Sequence, residues 1–483
     1  MPQLAKLRSH PDAFAQFTDA TTMTIQETPA TDDFINGLPA HLQPLAPPGP
    51  PHGDRHRQRR HRLAKAIAAR GGGLVVLGAG HEIARNRDNH FPFRSHSDFI
   101  YMTGFPEPES WWLMRVEPDG NTRDVIVCRP RDTDREVWDG VRVGPQRAAD
   151  RYGFDTALEI ADLDATVVAM AANLPAIYSH PASSAELDHQ FRTWLGRLRA
   201  QARAGVHAPA ELFDVGQLIA LQRQVKDADE IHTMTRAAEI SAAAHVQAMR
   251  HTRPGMREFE IEAVLLHAFR HAGAQSVAYG SIVAGGPHSC ILHHRAGDRA
   301  CLPGELVLID AGCELDGYAS DITRTFPVSG RFSVAQRAAY DVVCAAQSAA
   351  VDASRLGATI ASPHEAAVRV LAQGMIDLGL LPGHSCESAI ESGAYRRFYM
   401  HRTGHWLGLD VHDVGDYTLA LTDGMVLTIE PGLYIRPAPD VREEFWNVGI
   451  RIEDDALITA EGPRLLTRGV PVDAAAIESL MAS

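Results

Sequence analysis

The sequence lacks the features of a membrane-spanning or secreted protein. No apolar run reaches about 18 residues, the length that a membrane-spanning helix needs, and the first residues lack the apolar core of a signal peptide. Six cysteines in 483 residues include no C-x-x-C pair, so neither a disulfide framework nor a zinc knuckle is expected. These absences favour a protein of the reducing cytoplasm.

The chain also lacks an excess of positive charge. Its formal net charge is −14 and its pI is about 5.9. An acidic surface repels phosphate backbones and anionic lipids, which argues against nucleic acid and membranes as partners. Hydrophobic residues make up 45% and charged residues 22%, as in ordinary globular proteins, and 483 residues allow two or three domains.

Three regions follow one another along the chain. Residues 1–54 are polar and end in the proline-rich stretch PLAPPGPPHGD, which predicts an extension with a stiff linker. Residues 55–220 mix helical and strand patterns and predict an α/β domain. Residues 226–470 predict an α+β domain built from two halves that share one sheet.

The pattern of residues 55–220 predicts an opening helix from Arg55, with Leu63 and Ile67 facing inward and a stop at the following glycines. Apolar stretches predict strands at LVVLGAG, WWLMRVE and DVIVCR and a further strand near ATVVAM, residues 165–170.

In the second domain, an acidic cap predicts a long alanine-rich helix from residue 227, and a second helix is predicted at about Arg257 to His271. Two capping boxes predict later helices. One begins at Ser333, and the other begins at Ser362, with Pro363 as its first helical residue.

Two stretches of this second domain repeat each other. GELVLIDAG covers residues 304–312 and GMVLTIEPG covers residues 424–432, so Asp310 and Glu430 occupy the same place in the two copies. An apolar run of this length between glycines predicts a buried strand. A carboxylate at the end of such a strand is costly to desolvate unless it meets a cation. The repeat therefore indicates two acids that share a positive partner.

Each half offers a second carboxylate. Asp321 precedes the alternating strand ITRTFPV, close behind Asp310, and Glu453 ends GIRIE, in which Arg451 and Glu453 face the same way. Four carboxylates match the charge of two divalent ions. His405, between two glycines in HRTGHWLG, is a fifth candidate ligand. Oxygen ligands with one imidazole suit manganese, and also cobalt, iron or zinc.

Five segments in order resemble aminopeptidase P, one of the pita-bread metallopeptidases that include methionine aminopeptidase and prolidase. They are LVLIDAG, DITRTFPV, HRTGHWLGLDVHDVG, LTIEPGLYI and GIRIEDD, and FPFRSHSDFIYMTGFPEPES is similar to the N-terminal domain of that family. The resemblance covers about residues 55–470. It implies an α/β N-terminal domain and an α+β pita-bread (creatinase/aminopeptidase-like) catalytic domain, two manganese ions, and a homodimer or homotetramer.

The resemblance also implies an activity, a metal-dependent aminopeptidase that removes the first residue from peptides with proline in second position. A hydroxide that bridges the two metals would attack the carbonyl before proline. Site residues follow from the matching positions: Asp310, Asp321, His405, Glu430 and Glu453 as metal ligands, with Asp321 and Glu453 bridging; Glu430, which transfers a proton, and His412, His293 and His401 as catalytic residues.

Two alternatives stay open. Prolidase, which cleaves only Xaa-Pro dipeptides, has the same metal ligands, so the ligands do not separate the two activities. A non-catalytic pita-bread module that binds a peptide or protein is the alternative of another class, although such a module is expected to lose ligands. Two positions depart from the usual family pattern, His288 in place of asparagine and His294 in place of tyrosine. Both affect the expected substrate length rather than the metals.

Overall fold

The structure, a computed structural model, describes residues 53–483. The predicted extension, residues 1–54, lies outside this range except for Gly53 and Asp54, which open the first helix. Within residues 53–483, no helix is both long enough and apolar enough to cross a membrane.

The first part of the described chain, up to residue 224, folds around one mixed sheet. The helices are α1 (Gly53–Ala68), α2 (Ser97–Thr103), α3 (Thr133–Asp139), α4 (Pro145–Tyr152), α5 (Leu163–Ala171), α6 (Ala185–Arg199) and α7 (Gly216–Gln224), and the strands are β1 (Gly73–Gly78), β2 (Ala84–Asn86), β3 (Asn89–His90), β4 (Trp111–Val116), β5 (Thr122–Cys128), β6 (Thr156–Glu159), β7 (Ala176–Ser179) and β8 (Glu211–Asp214). The strands of the sheet run in the order β6-β5-β4-β1-β7-β8. The pairs β1–β4 and β4–β5 are antiparallel, and the pairs β5–β6, β1–β7 and β7–β8 are parallel.

The central strand β1 is buried on both faces, as its continuous apolar run predicts. Leu74 and Val76 belong to the core on the side of α5 and α6, whereas Val75 and Leu77 belong to the core that includes Leu63 of α1. The predicted opening helix and the predicted strand after it are therefore confirmed.

The strand expected near residues 165–170 is wrong, because these residues lie in helix α5. The Thr-Val-Val run has a high strand propensity, but the buried residues of the segment, Leu163, Val167, Met170 and Ala171, recur at helical spacing. This spacing puts one face of a helix against the sheet, so packing outweighs local propensity.

The second part of the chain contains the repeated strands. Its helices are α8 (Ala228–His251), α9 (Glu258–His271), α10 (Val334–Ala353), α11 (Ala361–Asp377), α12 (Cys386–Glu391) and α13 (Ala474–Ala482), and its strands are β9 (Ser276–Val277), β10 (Ile282–Gly285), β11 (Leu306–Asp310), β12 (Cys313–Leu315), β13 (Tyr318–Ala319), β14 (Thr323–Pro327), β15 (Val426–Ile429), β16 (Gly432–Ile435), β17 (Val448–Arg451), β18 (Asp454–Leu457) and β19 (Arg464–Leu465).

The expectation of one shared sheet is wrong in its detail. Hydrogen bonds divide these strands into four short sheets, β10-β11-β14, β13-β12-β9, β15-β18-β19 and β16-β17. Between β14 and β17 a side chain replaces the backbone ladder, because the Thr325 hydroxyl donates to Arg451 O and accepts from Arg451 N. The two halves also meet through Glu453 N, which donates to Thr323 O at 3.0 Å.

The helix caps follow the sequence with one exception. Asp227 caps α8, and Ser333 and Gln336 form the predicted capping box of α10. The box predicted at Ser362 is wrong, because α11 begins at Ala361 and Ser362 already lies inside it. Its hydroxyl accepts instead from the backbone N–H of Thr359, in the turn before the helix, at 3.3 Å.

Candidate metal centre

The first two predicted ligands lie side by side on neighbouring strands. Asp310 ends β11, and Asp321 stands two residues before β14, which pairs antiparallel with β11 so that Asp310 faces Thr323. The hairpin of β12 and β13 reverses the chain between the two acids. This arrangement agrees with the sequence, in which Asp321 follows Asp310 closely and precedes a strand of its own.

The second half presents its acids in a similar way. Glu430 directly follows β15, and Glu453 lies between β17 and β18. Strands β15 and β18 pair antiparallel, with Ile429 opposite Asp454, so both acids emerge at the same end of this pair. The repeat in the sequence is therefore also a repeat in the structure.

His405 is held against the β15 backbone. Thr428 N donates to His405 O at 2.9 Å, and His405 N donates to the Thr428 hydroxyl at 3.1 Å. The preceding Gly404 makes this approach possible, since a Cβ atom there would lie 2.0 Å from Thr428 O. A side chain at residue 404 would therefore push the His405 backbone away from β15.

All five predicted ligands line one cavity of about 490 Å³. Ligand atoms of Asp321, His405 and Glu453 lie within 4.8 Å of one another. His405 Nε2 is 3.5 Å from Asp321 Oδ2 and 3.7 Å from Glu430 Oε1. Asp310 joins the group through Tyr279, whose hydroxyl is 2.6 Å from Asp310 Oδ1 and 2.5 Å from Asp321 Oδ1.

Burial and neighbouring charges shift the pKa values of the ionisable groups in this cavity. Burial raises the pKa of Glu430 to about 7, and burial together with Asp321 raises the pKa of Glu453 well above its usual range. Burial also raises the pKa of Asp321. For His405, burial lowers the pKa, but Asp321 and Glu430 outweigh it and raise the value to about 9. The basic side chains that contact these carboxylates include Arg451, His405 and His401, and the carboxylate-rich donor set fits a pair of divalent metals.

A network of side-chain hydrogen bonds links the predicted ligands to one another. Arg451 Nη2 donates to Asp310 Oδ2 at 2.6 Å, and Arg451 Nε donates to the Thr323 hydroxyl at 3.0 Å. That hydroxyl donates to Glu453 Oε2 at 2.6 Å. Such partners orient metal ligands and tune their basicity.

The sequence reasoning assigned no site role to these supporting residues. For Arg451 and Thr323 a signal existed, because strand alternation puts Arg451 on the face of Glu453 and Thr323 on the face of Asp321. Tyr279 lies 31 residues before Asp310, and no local pattern of the sequence connects the two.

The three histidines expected as catalytic residues, His293, His401 and His412, line the same cavity. His401 Nε2 is 2.8 Å from the Tyr434 hydroxyl, and burial, then the nearby Arg451, lowers the pKa of His401 to about 4. The His412 ring centroid is 4.2 Å from that of His405, and burial, then the charge of His405, lowers the pKa of His412. His293 is exposed at the edge.

The two departures from the family pattern form one cluster. His288 Nδ1 and His294 Nε2 each lie 2.8 Å from a different oxygen of the Glu258 carboxylate, which is fully buried. The same carboxylate accepts from Gly285 N and Gly297 N. This cluster ties α9 to the loop that carries His293, so the two histidines brace one wall of the cavity.

Comparisons with known proteins agree with this architecture. The profile of metallopeptidase family M24 matches residues 232–460, and the profile of the aminopeptidase P N-terminal domain matches residues 56–178. The Xaa-Pro aminopeptidase of Escherichia coli strain K12 is 39% identical over 431 residues, which cover 88% of this chain and 98% of that protein.

Solved structures show the same likeness. Aminopeptidase PepP of Pseudomonas aeruginosa superposes with a TM-score of 0.85 at 43% identity, over 88% of this chain and 98% of that one. Zinc-substituted E. coli aminopeptidase P in complex with product gives 0.87 at 38% identity, over 90% and 99% of the two chains. The expected fold class, an α/β N-terminal domain followed by a pita-bread catalytic domain, is confirmed. The chain therefore belongs to metallopeptidase family M24 and, within it, to the Xaa-Pro aminopeptidases.

Proposed function

We propose that this chain removes the first residue from peptides whose second residue is proline. One observation carries the proposal: both halves of the catalytic domain deliver their acids into one cavity, together with three further histidines, in a chain whose relatives are Xaa-Pro aminopeptidases. The domains that serve this function are residues 55–220 and 226–470, with residues 1–54 as an extension.

Five residues would hold two divalent ions: Asp310, Asp321, His405, Glu430 and Glu453. Bound divalent ions would supply an acidified water and polarise the scissile carbonyl group. Manganese suits this oxygen-rich donor set, and cobalt, iron or zinc are the alternatives. The zinc-substituted relative indicates that a site of this type also admits zinc in that protein.

Side chains of the cavity would transfer the proton, stabilise the developing charge and contact the substrate. Glu430 would accept a proton from the attacking water and return it to the leaving amine, since its carboxylate lies within the ligand group. His412 would donate from its ring N–H to the carbonyl oxygen as that oxygen gains charge, an effect worth about 3 kcal/mol per donor. His293 and His401 would contact the substrate backbone.

Proline selectivity needs a shaped apolar surface, because proline has a fixed ring and no backbone N–H. The cavity supplies apolar contact from Ile282, Leu292, Val411 and Tyr417 beside the polar ligands. Ile282 and Leu292 come from the first half of the catalytic domain and Val411 and Tyr417 from the second, so both halves contribute apolar surface beside the polar ligands.

The proposal also covers the location, the oligomeric state and the partners of the enzyme. We place it in the cytoplasm as a homodimer or homotetramer that acts on peptides and has no nucleic-acid partner. Free thiols at all six cysteines support the cytoplasmic location, and the net charge of −14 supports the absence of a nucleic-acid partner.

A peptide panel tests the proposal. With manganese present, we expect hydrolysis of an Xaa-Pro-Yaa tripeptide, little hydrolysis of the matched Xaa-Ala-Yaa tripeptide, and no activity in Glu430→Gln. Exclusive cleavage of the Xaa-Pro dipeptide would favour prolidase, which no comparison favours. No cleavage of any peptide, and no bound metal, would favour the non-catalytic module.

A further inference from the structure

A second group of metal-binding side chains lies in the N-terminal part of the chain. His96, Asp98 and His180 line a separate cavity of about 710 Å³, and one ligand atom from each lies within 4.8 Å of the others. His96 and Asp98 stand at the start of α2, and His180 directly follows β7. The cavity reaches residues 410–415 of the catalytic domain on its other side.

His180 is oriented like a metal ligand. Its Nδ1 lies 3.4 Å from Asp214 Oδ1, and its Nε2 lies 3.1 Å from Asp98 Oδ2. A metal-binding histidine usually presents its second nitrogen to a carboxylate, which fixes the proton there and leaves the lone pair on the first nitrogen. Asp214 is placed for this role, so the lone pair of His180 would lie on Nε2.

The contact between His180 Nε2 and Asp98 is close but poorly directed. Nε2 is buried and makes no well-aligned hydrogen bond with any residue in the described range, although Asp98 Oδ2 is 3.1 Å away. Two ligands of a tetrahedral zinc ion, each at about 2.0–2.1 Å from the metal, lie roughly 3.3 Å apart. The separation of these two atoms fits ligands that aim at a common third point.

Asp98 has one oxygen to spare. Its Oδ1 accepts from Arg223 Nη1 at 2.7 Å, while Oδ2 faces His180. His96 supplies a third donor, with its ring centroid 4.9 Å from that of His180. The hydrogen bond that His96 Nδ1 accepts from Asp98 N is long, at 3.3 Å, and therefore weak. A metal that binds the His96 ring would displace no more than this weak hydrogen bond.

We propose that His96, Asp98 and His180 form a further metal site, separate from the catalytic cavity, that takes zinc or a similar divalent ion. Two imidazoles and one carboxylate are a common zinc donor set, and a water would complete the coordination. Arg223 links Asp98 to Asp410, so a metal here would brace the N-terminal domain against the segment that follows His405.

Zinc counting tests the site. The full chain and its variants are dialysed against a zinc-buffered solution, and bound zinc per chain is measured by mass spectrometry. His180→Ala is expected to hold one zinc ion fewer than the wild type and to keep its activity on an Xaa-Pro peptide. His189→Ala, which changes an exposed histidine of α6, is the matched control and is expected to match the wild type in zinc content.

Two further variants keep the test decisive if His180→Ala does not fold. His96→Ala, at an exposed position, is also expected to lose one zinc ion. Asp214→Asn is expected to weaken zinc binding at this site by roughly 10–100-fold, because the partner of His180 changes while the ligands stay. Equal zinc content in the wild type and all folded variants would overturn the proposed metal site. His180 would then be an ion-paired histidine without a metal. Loss of activity together with zinc in His180→Ala would also count against a separate site.

Discussion

Replacing Arg324 with methionine tests whether the two halves of the catalytic domain are joined by a buried ion pair. Arg324 and Asp454 are both fully buried, and Arg324 Nη2 lies 2.7 Å from Asp454 Oδ1. Arg324 Nη1 also donates to Glu453 O at 2.6 Å and to Thr323 O at 3.0 Å. The guanidinium therefore ties a first-half strand to the backbone of a second-half ligand.

The expected loss is large because Arg324→Met leaves Asp454 buried without its closest cation. Removing one partner of a buried pair costs about 3–5 kcal/mol. For a domain of about 150–250 residues, each kcal/mol lowers Tm by about 2–4 °C, so the catalytic domain should melt roughly 6–20 °C lower. Calorimetry on metal-free protein measures this shift without a contribution from lost metal.

Arg468→Met is the matched control for this experiment. Arg468 Nε lies 3.2 Å from the other oxygen of Asp454, but the Arg468 side chain is 38% exposed. Arg468→Met leaves Arg324 in place as the buried partner of Asp454 and removes only a guanidinium that water reaches, so the cost should be about 0–1 kcal/mol and Tm should fall by less than about 4 °C. Equal shifts in the two variants would refute the reasoning, because burial of the guanidinium would then make no difference.

Three further predictions concern the site and the pH dependence of folding. Tyr279→Phe removes the hydroxyl between Asp310 and Asp321 and should weaken manganese binding roughly 10–100-fold by calorimetric titration; unchanged affinity would show that the hydroxyl does not order the ligands. His412→Ala should lower kcat about 10²–10³-fold while the metal content stays constant, and an unaltered kcat would remove this residue from the mechanism. Burial, and then Arg59, lowers the pKa of His56 to about 3, below the value of 6.5 in the unfolded chain. The unfolded state therefore binds the proton first as the pH drops. The free energy of unfolding consequently falls as the pH drops below 6.5. This group changes the free energy of unfolding by about 1.4 kcal/mol per pH unit. In denaturant melts of the metal-free proteins, His56→Gln should therefore lose less free energy of unfolding than the wild type between pH 6.5 and pH 4.5. Parallel curves of unfolding free energy against pH would contradict the assignment.

Each of the four acids proposed as metal ligands carries a local signal in the sequence. Asp310 and Glu430 end apolar runs flanked by glycine, and Asp321 and Glu453 border alternating strands. A carboxylate beside a buried strand is costly without a cation, so these positions stand out in the sequence. The structure then places all of them along one cavity.

The supporting contacts were not predictable in the same way. Glu258 meets His288 and His294 across 30 and 36 residues, and Tyr279 meets Asp310 across 31 residues. Such pairs depend on how the elements pack, and no periodicity within one segment encodes them. The histidines therefore stood out only as departures from a family pattern.

The errors in the fold have two origins. Residues 165–170 look like a strand by composition, yet their buried positions follow the turn of a helix, so packing against the sheet decides between local alternatives of similar energy. Ser362 fits a capping pattern, yet its hydroxyl accepts from Thr359 N in the preceding turn, and the helix begins at Ala361, two residues before the predicted first helical residue. This second error is local, because one turn hydrogen bond takes the hydroxyl that the cap would use.

The central claim is that the duplicated halves hold a pair of divalent ions among their strand-end acids. An anomalous difference map from crystals of the manganese-loaded protein tests it most directly. The account predicts two peaks in the catalytic cavity, with Asp321 and Glu453 in contact with both and Asp310, His405 and Glu430 each in contact with one. A single peak, or peaks without these five residues as neighbours, would contradict it.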